Sequence, residues 1–251
     1  LICRFNQTFS QNYEAKVDSL MQLMTLQEKI GQTVMYGGHW DQTGPFVGAD
    51  NGKYIREGNM GAMLNAMSAK GTRDLQKIAV EETRLGIPLL FGYDVIHGHR
   101  TIFPINLGLS ASWDLKMVEE SSRIAAEEAS AEGIQWTFAP MIDVSREPRW
   151  GRISEGAGED VYLNSVIGQA YIRGFQGDDL SQPNTILACA KHYVAYGAAQ
   201  AGRDYHTTNM GEGELRNVYL PPFKAAVDSG VETFMSAFNE LNGVPTSGNK
   251  F

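Results

Sequence analysis

Polar side chains directly follow four short apolar runs of the chain, the position at which parallel α/β proteins carry their functional groups. Lys191 and His192 follow one run, and the stretch Ser236 to Asn239 ends another. The other two runs are followed by longer polar stretches, with Asp94, His97, His99 and Arg100 in one and Asp143, Arg146, Glu147, Arg149 and Arg152 in the other. One such stretch could be a solvated loop, but four together favour a site.

The donors and acceptors in these stretches suit a ligand that presents hydroxyl groups in several directions. Asp94 would accept hydrogen bonds, while Lys191 and His192 would donate them. A sugar ring also offers an apolar face, which Trp150 and Phe238 could cover unless they are ordinary core aromatics. The residue types therefore point to carbohydrate recognition.

Six short apolar runs are predicted to be the strands that position these side chains. They are Gln32 to Tyr36, Met60 to Leu64, Pro88 to Tyr93, Trp136 to Ile142, Ile186 to Ala190 and Val231 to Ala237. They do not alternate with polar residues, as is typical of strands buried on both faces.

Amphipathic segments lie between most of the strands. The predicted helices are Ala15 to Met24, Thr72 to Arg84, Asp114 to Glu132, Val161 to Phe175 and Glu214 to Ser229. A capping box at Thr25 to Glu28 predicts a second short helix near the start, and Pro221 and Pro222 predict a kink or a restart in the last one. The alternation of strands and helices predicts a parallel α/β fold.

Composition narrows the class of protein. The chain has 251 residues, a formal charge of −8 and 43% hydrophobic residues, so most of it can fold around a core. The acidic balance argues against a nucleic-acid partner, and two cysteines cannot build a disulfide framework. We find no glycine-rich phosphate or dinucleotide motif and no apolar run of the roughly 18 residues that a membrane span needs, so we predict neither a cofactor nor a membrane span.

Five motifs in order carry a family resemblance. They are Gly92-Tyr93-Asp94-Val95-Ile96-His97-Gly98, Pro148-Arg149-Trp150-Gly151-Arg152, Gly158-Glu159-Asp160, Lys191-His192-Tyr193 and Met235-Ser236-Ala237-Phe238-Asn239. Together they resemble the N-terminal barrel domain of glycoside hydrolase family 3, the β-glucosidase family. The runs Tyr196 to Ala199 and Arg203 to Tyr205 are similar to its periplasmic bacterial branch.

The resemblance implies roles for eight residues in binding the terminal sugar of a β-glucoside. Asp94 would accept from its hydroxyls, Arg100 would support the Asp94 loop, and Arg203 matches a further arginine of some members. The other five would donate to the sugar or line its subsite, and they are Arg152, Lys191, His192, Met235 and Phe238. Many relatives carry Tyr at the position of Phe238, so one hydrogen bond would be missing here. The Lys191–His192 peptide is cis in some relatives.

The resemblance also implies that the catalytic carboxylates lie elsewhere. Retaining hydrolysis needs two carboxyl groups roughly 5 to 5.5 Å apart, and the family's nucleophile follows a seventh strand in a Ser-Asp context that this sequence lacks. We expect that aspartate beyond Phe251 and the acid/base in a second, α/β sandwich domain. The fold class expected is then a (β/α)₈ TIM-barrel-like domain with about six of its eight units, spanning residues 15–251 after a tail at 1–14, and inactive alone.

Four acidic residues could stand in for the missing carboxylates. Glu159 and Asp160 precede a helix and are better explained as first-turn acids that favour its dipole. Asp143 is expected to brace the arginine-rich loop by an ion pair. Glu155 remains the fourth candidate.

Two rival chemistries and one non-enzymatic function stay open. Asp204-Tyr205-His206 resembles the acid/base dyad of the family's β-N-acetylhexosaminidases. In that branch Phe-Pro-Gly follows Lys-His, whereas here Lys191-His192 is followed by Tyr193-Val194-Ala195. His97-Gly98-His99 has the spacing of some barrel metal sites, but a loop brace is the better interpretation. The chain could also be a non-catalytic carbohydrate-binding fragment. The resemblance implies a bacterial periplasmic or secreted protein and leaves the oligomeric state open.

Overall fold

Six short strands lie at the six predicted apolar runs. In this computed structural model, which describes residues 10–38 and 50–250, the strands are β1 (Met35–Gly37), β2 (Ala62–Leu64), β3 (Leu90–Tyr93), β4 (Trp136–Thr137), β5 (Cys189–Tyr193) and β6 (Thr233–Ser236). The pairs β1 with β2, β3 with β4 and β5 with β6 are parallel, as predicted for an α/β fold. The chain divides into two compact units, Leu1–Phe91 and Gly92–Phe251. The tail predicted at 1–14 falls mostly outside the described residues.

The first unit packs helices against β1 and β2. Its helices are α1 (Ser10–Leu23), α2 (Leu26–Gln32), α3 (Asn51–Arg56) and α4 (Ala69–Glu81). The predicted capping box starts α2, because the Thr25 hydroxyl accepts from the Glu28 N–H while the Glu28 carboxylate accepts from the Thr25 N–H. The unit's buried core consists of Ile55, Met60, Met63, Ala66, Ala79, Leu89 and Phe91.

The second unit is built around two long helices. Its helices are α5 (Asn106–Ser110), α6 (Leu115–Ala131), α7 (Val161–Gln176), α8 (Glu212–Glu214) and α9 (Pro221–Asp228). Small residues let α6 and α7 approach closely, and a Cβ built on Gly174 would lie 1.8 Å from the Ser122 Oγ. The buried core runs from α6 and α7 to the segments around β4 and β5.

The last predicted helix is interrupted, as its prolines indicate. A π-helical turn at Leu215–Tyr219 separates α8 from α9, and α9 restarts with Pro221 in its first turn, where a missing N–H costs nothing. An antiparallel pair that the sequence did not predict, β7 (Glu240–Leu241) with β8 (Val244–Pro245), follows β6.

Strand β4 is shorter than predicted, and β5 runs further. Pro140 has no N–H, so the pairing of β4 with β5 is broken into isolated contacts such as the bridge from Met141 to Lys191. Strand β5 begins three residues late and continues through Lys191 and His192, whose polar groups pair with Asp94 and Asp143. The Lys191–His192 peptide is cis, as the resemblance implies.

None of the helices within residues 10–38 and 50–250 combines the length and the apolar character needed to cross a membrane.

Candidate functional site

Four charged side chains meet at the ends of β3 and β5, and we call them the charged cluster: Asp94, Arg152, Glu155 and Lys191. The buried Lys191 ammonium, 3% exposed, lies 3.1 Å from Asp94 Oδ1 and 3.9 Å from Glu155 Oε2. Arg152 donates to both Glu155 oxygens, over 2.6 and 2.8 Å. Because the Asp94 side chain is about half exposed, it presents an acceptor to solvent beside a buried cation.

The charged cluster draws on one structural element besides the strands. Arg152 and Glu155 lie on a 3₁₀ turn, Gly151–Glu155, which brings them together at a spacing of three residues. Asp94 directly follows β3, and Lys191 lies within β5. Strands β3 and β5 thus supply two of the four charges, and the 3₁₀ turn supplies the other two.

His192 is oriented by a buried carboxylate. Asp143 Oδ2 accepts from the His192 backbone N–H over 3.0 Å and from its ring Nδ1 over 2.8 Å, and both side chains are 1% exposed. Because a carboxylate only accepts, Nδ1 carries the proton and Nε2 is left for a ligand. The expected ion pair between Asp143 and the arginine-rich loop is wrong, since Asp143 braces His192 instead.

Burial and charge shift two pKa values in this site. Burial raises the pKa of Glu155, but the hydrogen bonds and charge of Arg152, with the charges of Lys191 and His192, outweigh it and leave a net lowered pKa. Burial lowers the pKa of His192 against the opposing effect of Asp143, and the charges of Arg152 and Lys191 lower it further. Near neutral pH, these shifts favour an anionic Glu155 and a neutral His192 ring. A neutral ring with its proton on Nδ1 has an acceptor at Nε2, and the donor role that the resemblance implies for His192 stays a prediction.

An aromatic row runs beside the charged cluster, made of His192, Tyr196, Phe238 and Tyr205. The Phe238 ring centroid lies 5.3 Å from His192, 5.5 Å from Tyr196 and 5.3 Å from Tyr205. Arg152 lies over the Tyr196 ring, with its guanidinium carbon 5.7 Å from the centroid. The row thus connects the buried end of the site to exposed rings.

Trp150, the other aromatic proposed as an apolar surface, is a core residue. It is 1% exposed, and its ring packs edge-on against Tyr196 at 4.9 Å. Its indole N–H donates to Asp204 Oδ1 over 3.0 Å, and the Tyr196 hydroxyl donates to the same oxygen. Asp204 therefore holds two aromatic side chains in place, and this arrangement does not form the dyad of Asp204 with His206 that a hexosaminidase would need.

The loop after β3 is tied to the end of α6. Glu128 accepts from the backbone N–H groups of Arg100 and Thr101 and from the Thr101 hydroxyl, over 2.6 to 2.8 Å. The Arg100 side chain donates to Glu132, with Nε 2.6 Å from Oε1. Arg100 therefore ties the loop after β3 to α6, and its described contacts are with α6 rather than with the charged cluster.

His97, one histidine of the rival metal site, braces the same loop. His97 Nδ1 lies 2.8 Å from the Phe103 carbonyl, and His99 is buried with Nε2 3.2 Å from Glu132 Oε2. In the part of the chain that the structure describes, no three His, Cys, Asp or Glu side chains are grouped so as to hold a metal ion.

The remaining sequence candidates lie at the edge of the site or outside it. Met235 is partly buried on β6, where it pairs in register with Lys191, and Arg203 is exposed in the loop before Asp204. Asp160 is the N-cap of α7, where it accepts from the Leu163 N–H over 2.7 Å, so it precedes the first turn in which it was expected, and Glu159 is exposed beside it.

Sequence reasoning missed the roles of Glu155, Tyr196 and Tyr205. The spacing of Arg152 and Glu155 could have indicated a local ion pair, but nothing in the sequence places it beside Lys191. Tyr196 and Tyr205 lie in a loop without periodicity, so their contacts with Phe238 could not be predicted.

Comparisons with known proteins agree with the motifs. Residues 25–251 match the family model of the glycosyl hydrolase family 3 N terminal domain. The chain is 42% identical to a periplasmic beta-glucosidase of Salmonella typhimurium, an alignment that covers 93% of this chain and 30% of that protein. It is 32% identical to a lysosomal beta glucosidase of Dictyostelium discoideum, with 96% of this chain and 33% of that protein covered.

Solved structures of a beta-glucosidase also resemble the chain in backbone fold and at a similar sequence identity. A beta-glucosidase from Listeria innocua in complex with isofagomine has a TM-score of 0.87 at 42% identity, with 93% of this chain and 33% of that chain covered. The same enzyme in complex with glucose gives a TM-score of 0.85 at 40% identity, covering 93% and 34%. The chain thus spans about a third of the length of these relatives.

Proposed function

Because the chain belongs to glycoside hydrolase family 3, we propose that its charged cluster and His192 bind the terminal non-reducing glucosyl residue of a β-glucoside. The proposal depends mainly on the buried Lys191 ammonium, which lies between Asp94 and Glu155. Asp94 is about half exposed, so it can accept from a ligand in solvent. Since a buried charge is costly unless its partners are fixed, this arrangement is preorganised before any sugar arrives.

Each polar group of the site has a distinct part in the proposal. Asp94 accepts from sugar hydroxyls, and Lys191 and Arg152 donate to them. The neutral His192 ring accepts a hydroxyl proton at Nε2. Phe238 and Met235 cover the apolar face of the ring, and the glucose and isofagomine complexes of the Listeria relative support a ligand of this class.

The carboxylates of the site are assigned to binding rather than to bond cleavage. Glu155 is paired with Arg152, and Asp143 with His192. Retaining hydrolysis needs a nucleophile and an acid/base whose carboxyl groups lie roughly 5 to 5.5 Å apart, whereas Glu155 and Asp143 each orient a basic side chain of the site. The proposal therefore places that pair outside these 251 residues, which contribute the sugar-binding half of a β-glucosidase active site.

The proposal extends to location. The Salmonella relative is named a periplasmic enzyme, which supports a periplasmic or secreted bacterial protein.

A segment exchange tests the proposed function. Residues 25–251 replace the matching segment of the Listeria innocua enzyme, and hydrolysis of an aryl β-glucoside is measured. We expect the exchange protein to hydrolyse the glucoside within about tenfold of the parent. The same protein carrying Lys191→Met should lose about 100-fold in kcat/KM, because truncating one partner of a buried charge pair costs about 2–5 kcal/mol. Lys224→Met, which changes an exposed lysine of α9, is the matched control. A folded exchange protein without hydrolysis would contradict the proposal.

A further inference from the structure

We propose that Tyr205 and Phe238 form the surface that binds the group next to the terminal glucosyl residue, either an aryl aglycone or the ring of a second sugar. This inference rests on the proposed function, because it extends the glucosyl site outward. Tyr205, at the exposed end of the aromatic row, would contact the aglycone or the second sugar.

The exposure of the row increases in one direction. His192 is 1% exposed, Phe238 50% and Tyr205 64%, although each ring contacts the next at 5.3 Å. Large exposed aromatic side chains in contact with one another are costly to leave in water, because each buries a large apolar area when it is covered. A substrate whose glucosyl residue lies against His192 and Phe238 would place its next group over Tyr205.

The backbone holds Tyr205 outward. Tyr205 has a φ of 59°, a left-handed conformation that is unusual for a residue with a large side chain. The preceding Asp204 is fixed by Trp150 and Tyr196, and the Gln200 N–H donates to the Thr207 carbonyl across the loop. The exposed ring is thus carried on a tethered loop rather than a free one, so little freedom is lost when a ligand covers it.

The chemistry of this surface favours flat apolar groups. The rings of Tyr205 and Phe238 meet at an interplanar angle of 79°, so they form a corner with two apolar walls. A phenyl ring or the apolar face of a pyranose fits such a corner, whereas a methyl group covers little of it.

Binding of two thioglucosides to the full 251-residue chain tests the inference. Phenyl 1-thio-β-glucoside and methyl 1-thio-β-glucoside share the glucosyl residue and differ only in the neighbouring group. We expect the phenyl compound to bind at least about fivefold more tightly. Tyr205→Asn removes the ring, and Asn tolerates the left-handed backbone, so this variant should lose the preference while its affinity for glucose stays unchanged.

Two further variants make the result specific. Tyr205→Phe keeps the ring and should keep the preference. Tyr162→Asn removes a tyrosine of α7 that is 76% exposed, and it should change nothing.

Three outcomes would overturn the inference. A phenyl preference that survives in Tyr205→Asn shows that another surface binds the aglycone. An equal loss of affinity for glucose and for both thioglucosides shows that Tyr205 supports the glucosyl site instead. Absence of glucose binding by the unaltered chain refutes the proposed function, and this inference falls with it.

Discussion

At the scale of single residues, the site depends on how buried charges are partnered. Lys191 and His192 are buried in β5, yet each reaches an acidic group from another element. Burial of the Lys191 ammonium and the Asp143 carboxylate without these partners would cost several kcal/mol per charge. Asp143 therefore serves the site indirectly, by fixing which ring nitrogen of His192 remains available.

The lowered pKa of His192 predicts a pH-dependent stability. In the unfolded chain the ring takes up a proton near the ordinary histidine value of about 6.5, whereas in the folded chain burial lowers its pKa. The unfolded state therefore binds more protons below that value, so the free energy of unfolding falls as the pH drops beneath about 6.5. The lowered pKa of Glu155 acts in the same direction at more acidic pH, as the folded carboxylate becomes protonated.

Urea unfolding between pH 7.5 and pH 5 measures this effect. We expect His192→Gln to flatten the decline below pH 6.5 relative to the unaltered chain. An equal decline in the unaltered chain and in His192→Gln would refute the assignment of a neutral, buried His192.

Strand ends made half of the charged cluster predictable. Asp94 and Lys191 could be assigned from the sequence because polar residues that end apolar runs share one edge of a parallel sheet. The approach of Glu155 to Lys191 depends on the path of the loop between β4 and α7, about which neither periodicity nor spacing carries information. The partner of Asp143 was mispredicted for the same reason, since the arginines near it in sequence are not near it in the fold.

At the scale of elements, α6 positions the loop that carries Asp94. Glu128 accepts three hydrogen bonds from Thr101 and Arg100. These bonds lower the pKa of Glu128, and burial offsets only part of that lowering. Since hydrogen bonds to a charged group are worth about 1.5–3 kcal/mol each at most, losing them should loosen the loop without unfolding the helix.

Glu128→Ala is therefore expected to weaken glucose binding about fivefold or more by displacing Asp94. The measurement is a binding titration together with a thermal unfolding curve. Glu120→Ala, which changes an exposed acid on the same helix, is the matched control and should leave affinity unchanged. Unchanged affinity in Glu128→Ala would show that the loop holds its position without α6.

The elements themselves were largely predictable, and the exceptions have local causes. All six strand positions and the restart at Pro221 follow from apolar runs and proline. The shortened β4 reflects the missing N–H of Pro140, and the extension of β5 through Lys191 and His192 was hidden because their polarity marks the end of an apolar run. The pair β7 with β8 was missed because two-residue strands carry no periodic signal.

At the scale of the whole molecule, a length near that of one closed barrel accompanies six of the eight expected strands. Residues 25–251 match the family's N-terminal domain, and the chain spans about a third of its relatives. The proposed function divides the labour accordingly: the charged cluster and His192 would bind the glucosyl residue, and cleavage is assigned to carboxylates other than those of this site.

Binding of glucose to the 251-residue chain tests this account most directly. A heteronuclear NMR titration should give a dissociation constant in the millimolar range for glucose and weaker binding of galactose, with shifts centred on β5 and the 3₁₀ turn. Lys191→Met should lower the affinity by at least about tenfold, or about 1.4 kcal/mol, and Lys224→Met should not. Equal binding of glucose by the folded Lys191→Met variant, or no preference for glucose over galactose, would contradict the assignment of the charged cluster as a glucosyl site.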